Sequence, residues 1–343
     1  MKPLSMALAV MLTLALLLCP QPALEGAREG LYLFGRQVAP ALLPCMFCLN
    51  LLDALGLFSS LKKKLPASAA LLSGAFAWCS GAPGGARLLS ALYGDSPAAW
   101  RLCPGINLLG PAFLLGAVAL GQYGQTACFY PMALGHYGAA LVYLLLAAPK
   151  KASPSLPPRK SMSFPQAFQK SILGAVESLM CAGGCIILCA AIGHILGELL
   201  PLSLSLMWKA LLTGLLEATG GCAAMPGSGL PLRWQLTLCA GILSFGGLSV
   251  GLQSLCFLSL RPGKYLGCKA LMGLFSGLVC YLTCPWFLKD TVQGAFAPRR
   301  LLVSRSAGLL GLSLSSAAAL FFTLTVCLCL KGFSRKESGL QKI

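Results

Sequence analysis

Leu71-Leu72-Ser73-Gly74-Ala75-Phe76-Ala77-Trp78-Cys79-Ser80-Gly81-Ala82-Pro83-Gly84-Gly85-Ala86-Arg87 is an apolar segment of helix-forming composition that breaks at a run of small residues and then resumes. Residues 66–80 make 15 residues, roughly 22 Å of helix against a bilayer core of about 30 Å. An arm that short cannot cross unaided, so the stretch reads as a re-entrant hairpin over about 66–93. Irregular backbone at membrane depth is tolerated only where protein buries it or where it lines a cavity. The pattern returns 140 residues later as Leu211-Leu212-Thr213-Gly214-Leu215-Leu216-Glu217-Ala218-Thr219-Gly220-Gly221, within a second hairpin at about 203–232. Paired interruptions in the two halves of a membrane chain point to a transporter's binding site.

Composition sets the class. Of 343 residues, 57% are hydrophobic and 10% charged, with a mean hydropathy of +0.79. A soluble domain carries about 25% charged residues, so the chain reads as an all-α polytopic membrane protein embedded in the lipid bilayer. The net charge is +17, and its lysines and arginines cluster between apolar runs: Lys62-Lys63-Lys64, Lys150-Lys151, Arg159-Lys160 and the tail from Lys331 to Lys342. That distribution is a topology signal rather than a nucleic-acid surface. The 17 cysteines lie mostly inside apolar runs, with Cys181, Cys185 and Cys189 on one helix face. They read as small hydrophobes, not as metal ligands; Cys45-Met46-Phe47-Cys48 has no second pair at zinc-site distance. His136 and His194 are isolated in sequence. No nucleophile elbow, phosphate loop or paired-carboxylate motif is present, so no enzyme, no catalytic residue and no cofactor is expected.

The organisation follows from the apolar runs and their punctuation. Residues 1–24 hold a first transmembrane helix (3–19), with a cleaved signal peptide as its rival. Residues 25–148 form a first repeat: an amphipathic lead-in over 25–37, an apolar stretch over 38–58, the hairpin, an interrupted helix over 104–121 and a helix over 126–147. Asp95-Ser96-Pro97 reads as a helix cap starting a short surface helix through Arg101. Residues 149–170 are a basic cytoplasmic linker. Residues 171–330 form a second repeat, and 331–343 a basic tail. Gly56 aligns with Gly197, the hairpins align at an offset of 140, and the Gly110-Pro111 interruption aligns with Gly246-Gly247. Charge bias gives the first half an odd number of crossings, so the repeats are expected to be inverted. The same bias puts Arg261, Lys264 and Lys269 in the cytoplasm and makes the last helix, 306–330, the least secure in orientation.

Ionisable groups inside apolar segments are costly and default to functional candidates. Arg87 lies six residues past Gly81, and Glu217 four before Gly221. Glu177 stands seven residues past Lys170, with Arg36 as its counterpart in the first half; these two also read as residues that snorkel or pair as structural ions. Broken helices add backbone groups: Ser80, Gly81, Gly84, Gly110, Thr219, Gly220, Ser244, Gly246 and Gly247 are candidates to line a cavity. Gly273 and Gly277 read as helix-packing residues.

At residues 71–88 (LLSGAFAWCSGAPGGARL), 107–113 (NLLGPAF), 214–221 (GLLEATGG) and 244–253 (SFGGLSVGLQ), the chain resembles the sporulation integral membrane proteins of the YlbJ/SpoVV type. That type belongs to the nucleoside-recognition, or Gate-domain, superfamily, which is similar in architecture to concentrative nucleoside transporters. The resemblance implies two inverted repeats, each with a re-entrant hairpin and an interrupted helix. It also implies a multi-pass protein of the mother-cell-derived outer forespore membrane that moves dipicolinic acid. The substrate would lie among Ser80, Gly81, Arg87, Gly110, Pro111, Glu217, Thr219, Ser244, Gly246 and Gln253. Dipicolinate is a flat dianion, so Arg87 with tip N–H groups would hold one carboxylate and Gln253 would donate to the other or to the ring. Glu217 would be a proton or cation site, or a carboxylate that fixes its hairpin tip. The coupling ion, Na+ or H+, stays open, as does a homo-oligomer. A nucleoside or other small-solute transporter, and a non-transporting scaffold of spore morphogenesis, are the alternatives.

Overall fold

The computed structural model describes residues 2–64, 69–147, 162–199, 205–259 and 261–288, and every regular element among them is helical. The expected linker lies largely outside the described residues, and the 306–330 helix and basic tail entirely so.

Among the described residues, six helical stretches are long and apolar enough to cross a membrane: Pro20–Ala54, Pro97–Leu120, Thr126–Ala147, Phe164–Leu199, Leu232–Leu255 and Pro262–Phe287. The apolar helix α1 (Lys2–Leu18) contributes only the shorter run Met6–Leu18 and is not one of the six. The first long stretch is α2 (Pro20–Leu33), a π-helical turn (Phe34–Val38) and α3 (Ala39–Ala54). The wide turn sits directly before Pro40, whose ring would clash with the carbonyl four residues earlier in a regular helix. The apolar stretch expected over 38–58 is not one helix. It ends at Ala54, and Gly56 takes φ +86°, the left-handed geometry that closes a helix, before α4 (Leu57–Lys64) begins.

The rest of the first half is α5 (Ala69–Ser80), α6 (Gly84–Tyr93), α7 (Pro97–Ile106) and α8 (Pro111–Phe113), the last running into π-helical Leu114–Leu120. α9 (Phe129–Ala147) follows, then α10 (Phe164–Leu199). Ser96 caps α7 through its hydroxyl, which accepts from Ala99 N at 3.3 Å, as Asp95-Ser96-Pro97 suggested. The helix it starts is not on the surface, however. Ala99, Leu102 and Cys103 are wholly buried, so α7 is the first limb of the interrupted crossing. The most apolar window of this crossing is 78% buried, against 39% for Thr126–Ala147, which makes it the central span.

The second half comprises α11 (Leu206–Leu216), α12 (Ala218–Ala224) with a 3-10 turn (Met225–Ser228), α13 (Leu232–Phe245), α14 (Gly247–Leu255) and α15 (Pro262–Phe287). The two halves are fitted by small residues. A Cβ on Gly26 or Gly30 of α2 would run into the backbone of α10 at Ala190 and Ile187. A Cβ on Gly273 would lie 3.0 Å from Gly241 O, and one on Gly277 3.3 Å from Thr237 O, the packing role expected of both. Asp95 accepts from Ser259 N (2.9 Å) and Trp100 Nε1 (2.5 Å), which holds its carboxyl below the usual range and ties the α6–α7 turn to the chain after α14.

Polarity is arranged inside out relative to a soluble protein. Leu146 (84% exposed), Leu274 and Trp286 face outward, while Ser80, Asn107, His136, Ser244, Gln253, Ser254 and Lys269 are buried. Outward apolar surface on this scale is stable only against lipid tails, so the chain is a multi-pass membrane protein.

Candidate functional site

Four backbone interruptions meet in two pairs. Between α5 and α6 the helix stops at Ser80, and Gly81 turns the chain with φ +74°. Between α7 and α8 it stops at Asn107, and Pro111 restarts it after Gly110. A Cβ on Gly110 would stand 3.2 Å from the carbonyls of Trp78 and Cys79 and 3.4 Å from Gly81 N, so the two interruptions touch backbone to backbone. The second half repeats this. Glu217 stands extended between α11 and α12 (φ −143°, ψ 117°), and Gly246 and Gly247 both adopt positive φ between α13 and α14. A Cβ on Gly247 would come within 2.9 Å of Leu216 O and 3.1 Å of Glu217 N.

A break frees carbonyls and N–H groups that lipid cannot satisfy, and buried side chains take them up. Trp78 Nε1 donates to Gly105 O at 2.8 Å. Leu109 O receives two donors, Tyr137 Oη at 3.0 Å and His136 Nε2 at 3.2 Å. A carbonyl can only accept, so Nε2 carries the proton, and in the neutral ring Nδ1 accepts from Ser244 Oγ–H at 2.8 Å. His136 thereby joins the first break to the residue two positions before Gly246 in the second. Asn107 makes a second link: its Oδ1 accepts from Ala86 N (3.2 Å) and its Nδ2 donates to Ser254 Oγ (2.8 Å). Glu217 caps α12, accepting Thr219 N–H on Oε1 (2.9 Å) and Gly220 N–H on Oε2 (2.6 Å).

The structure therefore gathers Ser80, Gly81, Gly110 and Pro111 at one junction, and Glu217, Thr219, Ser244 and Gly246 at the other. Ser80 Oγ turns back to Ala77 O at 2.8 Å, and Gln253 Nε2 donates to Ser249 Oγ at 3.0 Å, both buried. Arg87 lies apart from these contacts. It lines a cleft of about 590 Å³ with Asn50, Asp53, Lys170, Glu177 and Phe257. Its Nη1 pairs with Glu177 Oε2 at 2.6 Å and reaches Ser178 Oγ at 3.4 Å, and its guanidinium stands 5.6 Å from the Phe257 ring. Of the two ions read as snorkelling or paired, Glu177 pairs with Arg87, and Arg36 is exposed and lies over the Tyr32 ring.

Three residues central to this arrangement were not among the sequence candidates. His136, isolated in sequence, bridges the breaks. Asn107 stands at the first break. Lys269, expected in the cytoplasm, is fully buried in α15. The available signal was a polar residue within an apolar run, the rule that selected Arg87 and Glu217. Among the cysteines, the Sγ atoms of Cys181, Cys185 and Cys256 lie within 4.8 Å of one another, where α14 ends against α10.

No protein-family model and no solved structure matches the chain. In sequence it is similar to the sporulation integral membrane protein YlbJ of Bacillus subtilis: 24% identical over 326 residues, covering 79% of this chain and 80% of that one.

Proposed function

We propose that the chain is a membrane transporter for a small organic anion, with dipicolinic acid the substrate that fits best, acting at the outer forespore membrane. In this reading α5–α6 and α11–α12 are re-entrant hairpins, and α7–α8 and α13–α14 are the interrupted helices of two inverted repeats. Their lengths support it. α5 has 12 residues and α11 has 11, about 18 Å and 16 Å against a hydrocarbon core of about 30 Å. The observation that carries the proposal is the meeting of both backbone breaks at His136, in a polar core enclosed by a lipid-facing apolar shell. A scaffold has no need of helices broken at membrane depth, whereas a solute that must shed its water needs polar groups presented there. The likeness to YlbJ supports the sporulation setting.

The buried polar groups Asn107, Ser244, Ser249 and Gln253 also suit an uncharged nucleoside, the second reading. Purified protein in sealed vesicles, tested with labelled dipicolinate and labelled uridine under imposed Na+ or H+ gradients, separates them. Dipicolinate accumulation above protein-free vesicles is the expected result. Accumulation of uridine alone selects the second reading, and accumulation of neither refutes transport.

A further inference from the structure

Lys269 is unused by the reading above. It stands seven residues into α15, about 10 Å along the helix from Pro262, and is 0% exposed. A lysine near the end of a membrane helix ordinarily extends its stem back to the interface; this one does not. Its Nζ and Gln125 Oε1 are the two buried side-chain polar atoms among the described residues that lack a hydrogen-bond partner. Withdrawing an ammonium from water costs several kcal/mol unless an opposite charge offsets it.

No described residue supplies that charge. Cys103 of α7 and His136 of α9 lie within electrostatic reach of Lys269, and neither is a carboxylate. Glu217 is the one buried carboxylate among the described residues, and its two oxygens are taken by Thr219 and Gly220. Glu29 pairs with His194, Glu177 with Arg87, and Asp53 lines the Arg87 cleft. Asp95 binds Trp100 and Ser259, and Glu25 and Glu198 are exposed. The missing anion must therefore come from outside the described protein.

We propose that Lys269 is the anion-binding residue of the transport site, its ammonium taking a carboxylate of the substrate beside the His136 bridge. The inference rests on the transport reading and narrows its substrates to small carboxylates, because a neutral nucleoside would leave the ammonium unpaired. Arg87, already neutralised by Glu177, has less to offer an incoming carboxylate.

The test uses the full chain in detergent, with dipicolinate, benzoate and uridine as probes, for wild type, Lys269→Met and Lys269→Arg. Equilibrium binding and ligand-induced thermal stabilisation are the readouts. Wild type should bind carboxylates, Lys269→Met should bind them on the order of 100-fold more weakly or worse, and Lys269→Arg should retain part of the affinity. Equal carboxylate binding by wild type and Lys269→Met overturns the inference, as does a wild type that binds no carboxylate. Should Lys269→Met not fold, amine-reactive labelling of wild type decides. Dipicolinate, and not uridine, must slow modification of Lys269; labelling indifferent to dipicolinate overturns the assignment. Vesicle uptake by wild type fails or succeeds separately, so Lys269-dependent binding without uptake removes transport and leaves the anion site standing.

Discussion

Asn107→Ala tests whether the first break is held to the second half as described. Asn107 is fully buried, and its amide makes two bonds: Ala86 N to Oδ1 at 3.2 Å and Nδ2 to Ser254 Oγ at 2.8 Å. Truncation leaves the Ala86 N–H in the first turn of α6 with no acceptor, a loss of about 1–3 kcal/mol for a buried donor. The bond to Ser254 adds less. Inter-helical hydrogen bonds in membrane proteins average about 0.6 kcal/mol and reach about 1.7. The expected total is about 2–4 kcal/mol, one and a half to three powers of ten in the unfolding equilibrium. Reversible unfolding from mixed micelles measures it, and a double-mutant cycle with Ser254→Ala isolates the inter-half bond. Ser254 still donates to Val250 O at 2.8 Å, so its own truncation is mild. A coupling below about 0.3 kcal/mol, the margin within which independent sites add, would refute the Asn107–Ser254 link. A single-mutant cost below about 1 kcal/mol would refute the cap on α6 as well.

Gly247→Ala should destabilise by about 1–2 kcal/mol from its φ of +68° alone, and further because its Cβ meets Leu216 O. Gly184→Ala, whose Cβ meets nothing within 4 Å, should be neutral or stabilising by up to about 1 kcal/mol; equal effects in the same unfolding assay would refute the contact at the second junction. Arg87→Gln should change stability by less than about 1 kcal/mol, since the Glu177 side chain is 67% exposed. In vesicles it should leave dipicolinate uptake unchanged, since Glu177 already neutralises the guanidinium; a loss of uptake would return Arg87 to the substrate's path.

The interruptions were legible in the sequence because their causes are local. Gly81, Gly110-Pro111, Glu217 and Gly246-Gly247 break or cap helices through backbone freedom, a missing N–H or a carboxylate near helix N–H groups, whatever surrounds them. Charge context was a poorer guide. Lys269 shares its segment with Arg261 and Lys264, and the positive-inside count places all three together. Burial of one of these three basic residues depends on which face of α15 meets α7 and α9. Arg87 and Glu177 were singled out separately, and their pairing joins residues 90 apart.

By itself the sequence determined a helical, lipid-embedded chain with a short, broken pair of helices in each half. Chain length, hydropathy and backbone propensity act over a few residues and need no knowledge of neighbours. Tertiary structure alone decided that each tip rests on the break of its own half, that His136 and Asn107 join the halves, and that Lys269 has no counter-charge among the described residues. The bonds that set those relations span 108 residues from His136 to Ser244 and 147 from Asn107 to Ser254. Whether a polar group finds a partner depends on packing, and in a medium without water that decides where a solute can bind.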